Sequence, residues 1–159
     1  MRDYLFVRIP KTASSSVCQA LYGTEEWPQH KTAGELAREI GDEFNKVFKF
    51  SIVRNPYERF RSMCRFFGIM PDQFYKDIHF KTQEDFLYIK GRLAVDYVGR
   101  FEDIDNSFKE ICKHIGIEKT LLPHIKPHLG DLPDRKEIIP IVNKYFKRDF
   151  ELFGYPMEL

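Results

Sequence analysis

The sequence has little of several features that would assign a protein to a class at once. Its 159 residues include three cysteines and one tryptophan, and the formal net charge is +1. The cysteines, at positions 18, 64 and 112, form no Cys-x-x-Cys pair, which argues against a disulfide framework or a zinc site. The near-neutral charge argues against bulk nucleic-acid binding, which needs a strong positive field. We therefore expect packing roles for the cysteines and no nucleic-acid partner.

Long hydrophobic runs are also missing. No apolar stretch approaches the roughly 20 residues that a membrane helix needs. A strand pattern begins near residue 4, which leaves no room for a signal peptide. We therefore expect no membrane insertion and a cytoplasmic location, where thiols stay reduced. The length and the 43% hydrophobic content predict a single domain over residues 1–159 with one packed core.

Alternating strand and helix patterns predict an α/β fold. We expect a three-layer arrangement, with a mainly parallel central sheet flanked by helices and ligands at the carboxyl ends of its strands. Strands are predicted at 4–9, 47–53 and 95–101. One helix is predicted at 14–22, a second begins after a capping box at Thr32, and a third runs from Pro56 to Phe67. A fourth follows the third strand and stops at Gly116. A last helix lies near the end of the chain, with Ile138, Val142, Tyr145 and Phe146 facing inward. Residues 69–92 are expected to be irregular, apart from a short helix near Phe86.

Two segments carry the pattern of a phosphate site. Residues 4–16 and 50–62 are each a short β-branched and aromatic run, a turn that contains proline, and the start of a helical pattern. A helix start presents unpaired backbone N–H groups and the positive end of a dipole, which together favour an anion. Residues 54–65 also hold four arginines and one glutamate, a net of +3. Two such sites in one small chain indicate a ligand with two separate phosphate groups.

The first segment differs from the P-loop of nucleotide hydrolases. It lacks both glycines of Gly-x-x-x-x-Gly-Lys-Ser/Thr, and no apolar strand ends in an aspartate that would hold magnesium. Lys11 comes early in the turn, and Thr12, Ala13 and three serines follow it. These residues predict a phosphate site that works without a metal.

The two segments together resemble the sulfotransferases that use 3′-phosphoadenosine 5′-phosphosulfate. Ile9-Pro-Lys-Thr-Ala-Ser-Ser-Ser16 looks like the family's 5′-phosphosulfate loop. Val53-Arg-Asn-Pro-Tyr-Glu-Arg-Phe-Arg-Ser62 looks like its 3′-phosphate motif, in which an Arg and a Ser stand eight residues apart. Val98-Gly-Arg-Phe-Glu-Asp-Ile104, Leu122-Pro-His124 and Asp149-Phe-Glu-Leu-Phe-Gly-Tyr155 look like the carbohydrate-sulfotransferase branch. The chain is shorter than typical members and is expected to lack their membrane anchor.

The resemblance implies a P-loop-like sulfotransferase fold and transfer of a sulfuryl group to an acceptor hydroxyl on a small molecule or a glycan. Lys11 would stabilise the charge that develops on the leaving oxygen. Arg54 and Ser62 would clamp the 3′-phosphate, a task that suits the fork of a guanidinium. The 5′-phosphate would be held by the remaining loop residues Thr12, Ala13, Ser14, Ser15 and Ser16.

The general base is harder to assign from the sequence. His30 is the first candidate, because the carbohydrate branch often places a catalytic histidine between the two phosphate motifs. Glu102 is the second candidate and Glu58 the third. Arg59, one turn before Ser62, could join the clamp or pair with acidic neighbours, and the second, structural role is favoured. Exposed positions in 69–92, such as Tyr75 or His79, are expected to influence acceptor choice, since long irregular segments are often binding loops.

Two other classes remain open at this point. One is an atypical nucleotide phosphotransferase, and the other is a nucleotide-binding module without chemistry. The missing P-loop glycines and the missing magnesium aspartate argue against the first. Retention of Lys11 and of a candidate base argues against the second.

Overall fold

The fold was analysed in a computed structural model that describes residues 3–26, 28–74, 77–118, 121–123 and 130–159. It is an α/β protein whose strands and helices follow one another along most of the chain. The strands are β1 (Tyr4–Phe6), β2 (Phe48–Val53), β3 (Tyr88–Ile89), β4 (Arg92–Leu93) and β5 (Tyr97–Arg100). The helices are α1 (Ser14–Tyr22), α2 (Ala33–Ile40), α3 (Pro56–Phe67), α4 (Gln83–Leu87), α5 (Ile104–Ile115), α6 (Arg135–Tyr145) and α7 (Lys147–Phe153).

The central sheet has three parallel strands in the order β1-β2-β5. The register pairs Phe6 with Phe50 and Val53 with Arg100, so the carboxyl ends of the strands lie side by side. Alternate residues of β2 face opposite sides of the sheet. Phe50 and Ile52 pack in a cluster with α1 and α5, and Val53 packs in a second cluster with α2 and α4. Helices therefore flank both faces, as the sequence predicts.

A third apolar cluster lies beside the sheet and supports α3. It joins Phe60 and Met63 of α3 to Ile138 and Val142 of α6 and to Phe150 of α7. The helix that carries the second predicted phosphate motif therefore packs on the C-terminal helices. None of the described helices combines the length and the hydropathy that a membrane crossing requires.

Local sequence signals fix the helix ends near the predicted site. Asn55 caps α3, because its side chain accepts a hydrogen bond from the backbone N–H of Tyr57 at 3.0 Å, and Pro56 takes the first helical position. Thr32 and Glu35 form the predicted capping box at α2. Gly116 ends α5 in the left-handed conformation. These boundaries confirm the sequence prediction.

Three details differ from the sequence prediction. Residues 88–93 form an antiparallel hairpin, β3–β4, where an irregular segment is expected. The first strand ends at Phe6, although the backbone N–H of Val7 still donates to Phe50 O at 2.9 Å. Tyr145 is 50% exposed rather than inward-facing, because α6 ends there and the chain turns into α7.

Arg59 fixes the position of the first predicted phosphate loop against α3. Its side chain is 1% exposed, and the guanidinium donates to the carbonyls of Pro10 at 3.0 Å, Lys81 at 3.0 Å and His79 at 2.9 Å. Burial lowers its pKa to about 10, which leaves the group charged at neutral pH. Arg59 therefore has a structural role, but through backbone carbonyls instead of the acidic neighbours that the sequence suggested.

Arg59→Met should destabilise the fold by about 3–5 kcal/mol. Methionine has a similar volume but leaves three carbonyl oxygens without their donor, and the one at Pro10 is buried. Urea unfolding followed by circular dichroism would measure the loss. The matched control is Arg61→Met on the same helix, where the half-buried guanidinium donates to Pro133 O and pairs with Glu58. That change should cost about 1 kcal/mol or less, and equal losses for the two variants would contradict the special role of Arg59.

Candidate functional site

Both predicted phosphate motifs open onto one cavity of about 570 Å³ at the carboxyl ends of the parallel strands. This volume falls within the range of small-molecule sites. The loop of residues 10–16 supplies one wall, and Arg54 with α3 supplies another. The lining side chains include Arg8, Lys11, Ser14, Ser15, Ser16, His30, Arg54, Ser62, Arg65, Phe66 and His79.

The loop at 10–13 holds a backbone shape that glycine usually supplies. Lys11 and Ala13 have φ values of 65° and 61°, in the left-handed region. Ala13 is the residue before α1, and no side chain in the described residues caps this nine-residue helix. Successive N–H groups in such a turn form a concavity that favours an anion, and the first turn of α1 adds its own unpaired donors at Ser14, Ser15 and Ser16.

Arg8 is a functional candidate that the sequence reasoning missed. It follows β1 and lies buried at the back of the cavity. Its guanidinium donates to Ser15 Oγ at 3.1 Å, to Ser14 Oγ at 3.3 Å and to the carbonyl of Pro28 at 3.0 Å. Because both hydroxyl oxygens act as acceptors toward Arg8, their hydrogens remain as donors toward the cavity. Arg8 therefore both orients the serines and adds positive charge behind them.

Thr12 differs from its neighbours in the loop. Its side chain is fully buried, and its hydroxyl donates to the carbonyl of Ile9 at 2.9 Å. Lys11, Ala13 and the three serines line the cavity, whereas Thr12 does not. The Thr12 hydroxyl therefore maintains the shape of the turn.

Lys11 carries the clearest electrostatic signature of the site. Its ammonium lies 4.6 Å from the centre of the Phe66 ring. Burial, reinforced by the charges of Arg54 and Arg65, lowers the pKa of Lys11 to about 8. The cations of this cavity therefore repel one another, and a bound anion would relieve that repulsion.

The backbone of Arg54 is fixed by hydrogen bonds, and part of its guanidinium remains able to donate to a ligand. The buried Gln83 side chain brackets its backbone, accepting from Arg54 N at 2.8 Å and donating to Arg54 O at 2.9 Å. The guanidinium lies 4.0 Å from the centre of the Phe101 ring and donates through one terminal nitrogen to the carbonyl of Lys11 at 3.2 Å. Its Nε is buried and has no hydrogen-bond partner within the described residues. This arrangement provides a rigid cation with spare donor capacity.

The buried side chain of Gln83 is itself fixed through the backbone at the start of α4. Asp149 of α7 accepts hydrogen bonds from the backbone N–H groups of Gln83 and Glu84, both at 2.9 Å. Burial raises the pKa of Asp149 to about 6. Arg54 therefore depends on two residues distant in the sequence.

Ser62 and Arg65 extend the Arg54 wall along α3. Both line the cavity, and their spacing of three residues places them on one face of the helix. Ser62 is buried and Arg65 is half-buried. The predicted Arg54–Ser62 pair therefore meets at the same cavity, and Arg65 joins it as a third polar group.

Two histidines form the remaining polar wall. The His30 and His79 rings lie 5.3 Å apart, edge to face, and both line the cavity. His30 Nδ1 lies 3.0 Å from the carbonyl of Arg8, which fixes the tautomer with the proton on Nδ1. Burial lowers the pKa of His30 to about 4, and the charge of Arg8 adds to this effect. His30 is therefore neutral at pH 7.

Other predicted candidates lie outside the cavity lining or outside the described residues. Glu102 accepts from Asn55 N at 2.6 Å and from the Tyr155 hydroxyl at 2.8 Å, and Glu58 pairs with Arg61 and Arg135. These contacts explain both glutamates structurally. Two further positions named in the sequence analysis, Tyr75 and His124, lie outside the described residues.

The described residues contain no group of three or more His, Cys, Asp or Glu side chains placed to hold a metal ion. Comparisons of the chain with protein-family models, with curated proteins and with solved structures found no match in any of the three. The cavity itself is therefore the feature from which a function can be inferred.

Titration of His30 should reduce the stability of the fold as pH decreases from 7 to 4.5, whereas Asp149, with its raised pKa of about 6, acts in the opposite direction. The unfolded chain takes up a proton at His30 near pH 6.5, and the folded protein does so only near pH 4. Protonation in this window therefore favours the unfolded state, by about 2 kcal/mol at pH 4.5.

The test compares urea unfolding of the wild type and of His30→Asn at both pH values. Asparagine keeps an amide donor for the Arg8 carbonyl but does not titrate. The variant should lose about 2 kcal/mol less than the wild type on acidification. Equal losses would contradict the depressed pKa.

Proposed function

We propose that this protein is a sulfotransferase that transfers a sulfuryl group from 3′-phosphoadenosine 5′-phosphosulfate to an acceptor hydroxyl, with carbohydrates as the expected acceptors. The observation that carries the proposal is that both phosphate motifs line one cavity. A donor with phosphates at its 5′ and 3′ positions needs two anion sites at a fixed separation. The first turn of α1 with Lys11 offers one, and Arg54 with Ser62 offers the other.

The proposed chemistry is an in-line displacement at sulfur. The acceptor oxygen forms a bond to sulfur, and the bond from sulfur to the bridging oxygen of the 5′-phosphate breaks. The electron pair of that bond goes to the leaving 3′,5′-bisphosphate, and the acceptor proton goes to a base in the cavity. The ammonium of Lys11 would meet the charge on the leaving oxygen, and the first-turn N–H groups would hold the phosphate.

The proposed fold follows from the same arrangement. A parallel sheet with a strand, an anion loop and a helix in succession has the layout of P-loop-like proteins, in which ligands lie at the carboxyl ends of the strands. Here the left-handed residues are Lys11 and Ala13 instead of glycines. We assign the chain to the P-loop-like sulfotransferase fold as part of the proposal.

Titration calorimetry with 3′-phosphoadenosine 5′-phosphate and with ATP tests the class directly. The bisphosphate should bind at least tenfold more tightly without a divalent cation. Transfer of sulfate to small glycans, alcohols and phenols should survive excess chelator. ATP preference with a magnesium requirement would support a phosphotransferase, and bisphosphate binding without transfer to any acceptor would support a binding module.

Arg54→Ala should weaken binding of the bisphosphate by about 1.5–3 kcal/mol, the worth of a hydrogen bond to a charged group. Ser62→Ala should cost about 1.5 kcal/mol, the lower end of the same range, because only the phosphate partner is charged. Calorimetry on each variant would measure both values.

The control ligand for these variants is adenosine 5′-phosphosulfate, which has no 3′-phosphate. Its affinity should change little in either variant. Equal losses for the two ligands would show that Arg54 acts only through its contact with the Lys11 carbonyl and does not read the 3′-phosphate.

Binding of the bisphosphate at pH 8.5 should take up about 0.5–0.8 proton per site. Most of the ligand-free protein carries a neutral Lys11 at this pH, because its pKa is about 8. A bound anion favours the charged form and raises that pKa. Calorimetry in two buffers with different ionisation enthalpies measures the uptake.

The matched variant is Lys11→Arg, which keeps the charge and does not titrate in this range. Proton uptake should disappear in the variant while binding persists. An unchanged uptake would assign the proton to another group.

A further inference from the structure

His79 and Asp77 form a hydrogen-bonded pair beside the cavity. His79 Nδ1 lies 2.6 Å from Asp77 Oδ1, and the same oxygen accepts from the His79 backbone N–H at 3.0 Å. A carboxylate facing Nδ1 keeps the proton on that nitrogen and leaves a lone pair on Nε2. Within the described residues, no hydrogen bond to Nε2 is formed. The pair therefore presents one ring nitrogen that can accept a proton.

The His79 ring shares a contact, Phe66, with Lys11, which would meet the reacting end of the donor. It stacks on Phe66 with ring centres 6.2 Å apart, and the Lys11 ammonium lies 4.6 Å from the centre of the same Phe66 ring. Phe66 and His79 both line the cavity with Lys11. An acceptor hydroxyl brought toward the sulfur near Lys11 would therefore meet this aromatic wall.

The His79 ring is held in place from several sides. Arg59 binds the His79 carbonyl at 2.9 Å, and Phe67 packs edge to face against the ring at 5.1 Å. Fixed rotamers and supporting hydrogen bonds are what a proton-transfer group needs, because its reach to the substrate is about one hydrogen bond.

His30 lacks this arrangement. Its Nδ1 faces a neutral carbonyl, that of Arg8, and the guanidinium of the same residue lies nearby. Burial and positive neighbours lower the pKa of His30 to about 4, well below the range that suits a base at neutral pH. The Asp77 carboxylate can balance the positive charge that forms on His79 during proton transfer. The carbonyl of Arg8 carries no charge that could do this for His30.

The geometry points to His79 as the catalytic base and to Asp77 as its positioning residue, an inference that rests on the proposed sulfuryl transfer. His79 Nε2 takes the proton of the acceptor hydroxyl while the acceptor oxygen bonds to sulfur. The electron pair of the broken bond leaves with the 3′,5′-bisphosphate. Asp77 holds the tautomer and balances the charge of the imidazolium that forms.

The test compares two acceptors that differ in their need for a base. An aliphatic alcohol needs its proton removed during transfer, whereas 4-nitrophenol, with a pKa of about 7, is already ionised at pH 8 and needs no base. His79→Asn keeps an amide donor for Asp77 and removes Nε2. His30→Asn is the matched variant on the neighbouring ring, and His79→Gln is a second variant at position 79. Affinity for 3′-phosphoadenosine 5′-phosphate reports that each variant is folded.

The readout is the ratio of kcat for the alcohol to kcat for 4-nitrophenol. It should fall by about 10²–10⁴ in His79→Asn, the usual worth of a positioned base. It should change by less than about threefold in His30→Asn, whatever that variant does to the two rates together. An unchanged ratio at position 79, or a fall at position 30 instead, would overturn the assignment while leaving the proposed function intact. A wild type that binds the bisphosphate but transfers sulfate to neither acceptor would overturn both.

The role of Asp77 has a spectroscopic test that does not depend on activity. Nitrogen-15 shifts of the imidazole rings report which ring nitrogen carries the proton. In the wild type, His79 should carry it on Nδ1. In Asp77→Asn, where an amide can donate to Nδ1, the population with the proton on Nε2 should rise. A proton already on Nε2 in the wild type would overturn the pairing.

Discussion

The arrangement of the cavity depends on one buried guanidinium. Arg59 stands on α3 and binds carbonyls from two other parts of the chain, at Pro10 and at residues 79–81. Both segments border the cavity, and neither is adjacent to Arg59 in the sequence. A single side chain therefore holds the loop of residues 10–16 and the segment that carries His79 against the same helix. Because an unpaired buried guanidinium is expensive, all three contacts have to form together.

The sequence predicted those features that short-range chemistry determines. A proline at the first helical position locates the start of α3, and a glycine locates the end of α5. Period-two and period-3.6 patterns locate the three parallel strands and the helices that cover them. The two predicted phosphate motifs follow strands of one parallel sheet, so their meeting at one edge was predictable as well. The β3–β4 hairpin was missed because its strands have two residues each and its turn, Lys90-Gly91, lacks the usual Asn-Gly signal.

Contacts between distant parts of the chain were not predictable. Gln83 brackets Arg54 from 29 positions away, and Asp149 fixes the helix that carries Gln83. In the sequence, Arg8 is one residue of a predicted strand. Only the structure shows that its guanidinium donates to the hydroxyls of Ser14 and Ser15. The pairing of His79 with Asp77 is visible in the sequence only as a spacing of two. The functional relevance of the pair depends on the cavity that His79 lines, and this cavity forms only when distant parts of the chain come together.

The left-handed residues at 11 and 13 restrict what the loop can become. The left-handed backbone conformation can be adopted by alanine, asparagine and residues with unbranched side chains. A β-branched side chain collides with the backbone in this conformation. Valine, isoleucine and threonine are therefore strongly disfavoured at both positions, whereas glycine would relieve the left-handed strain and lose more chain entropy on folding. Such a loop can keep its shape with several residue types at these two positions, and glycine is not required at either. Sequences that share the site can consequently diverge from the glycine pattern by which phosphate loops are usually recognised.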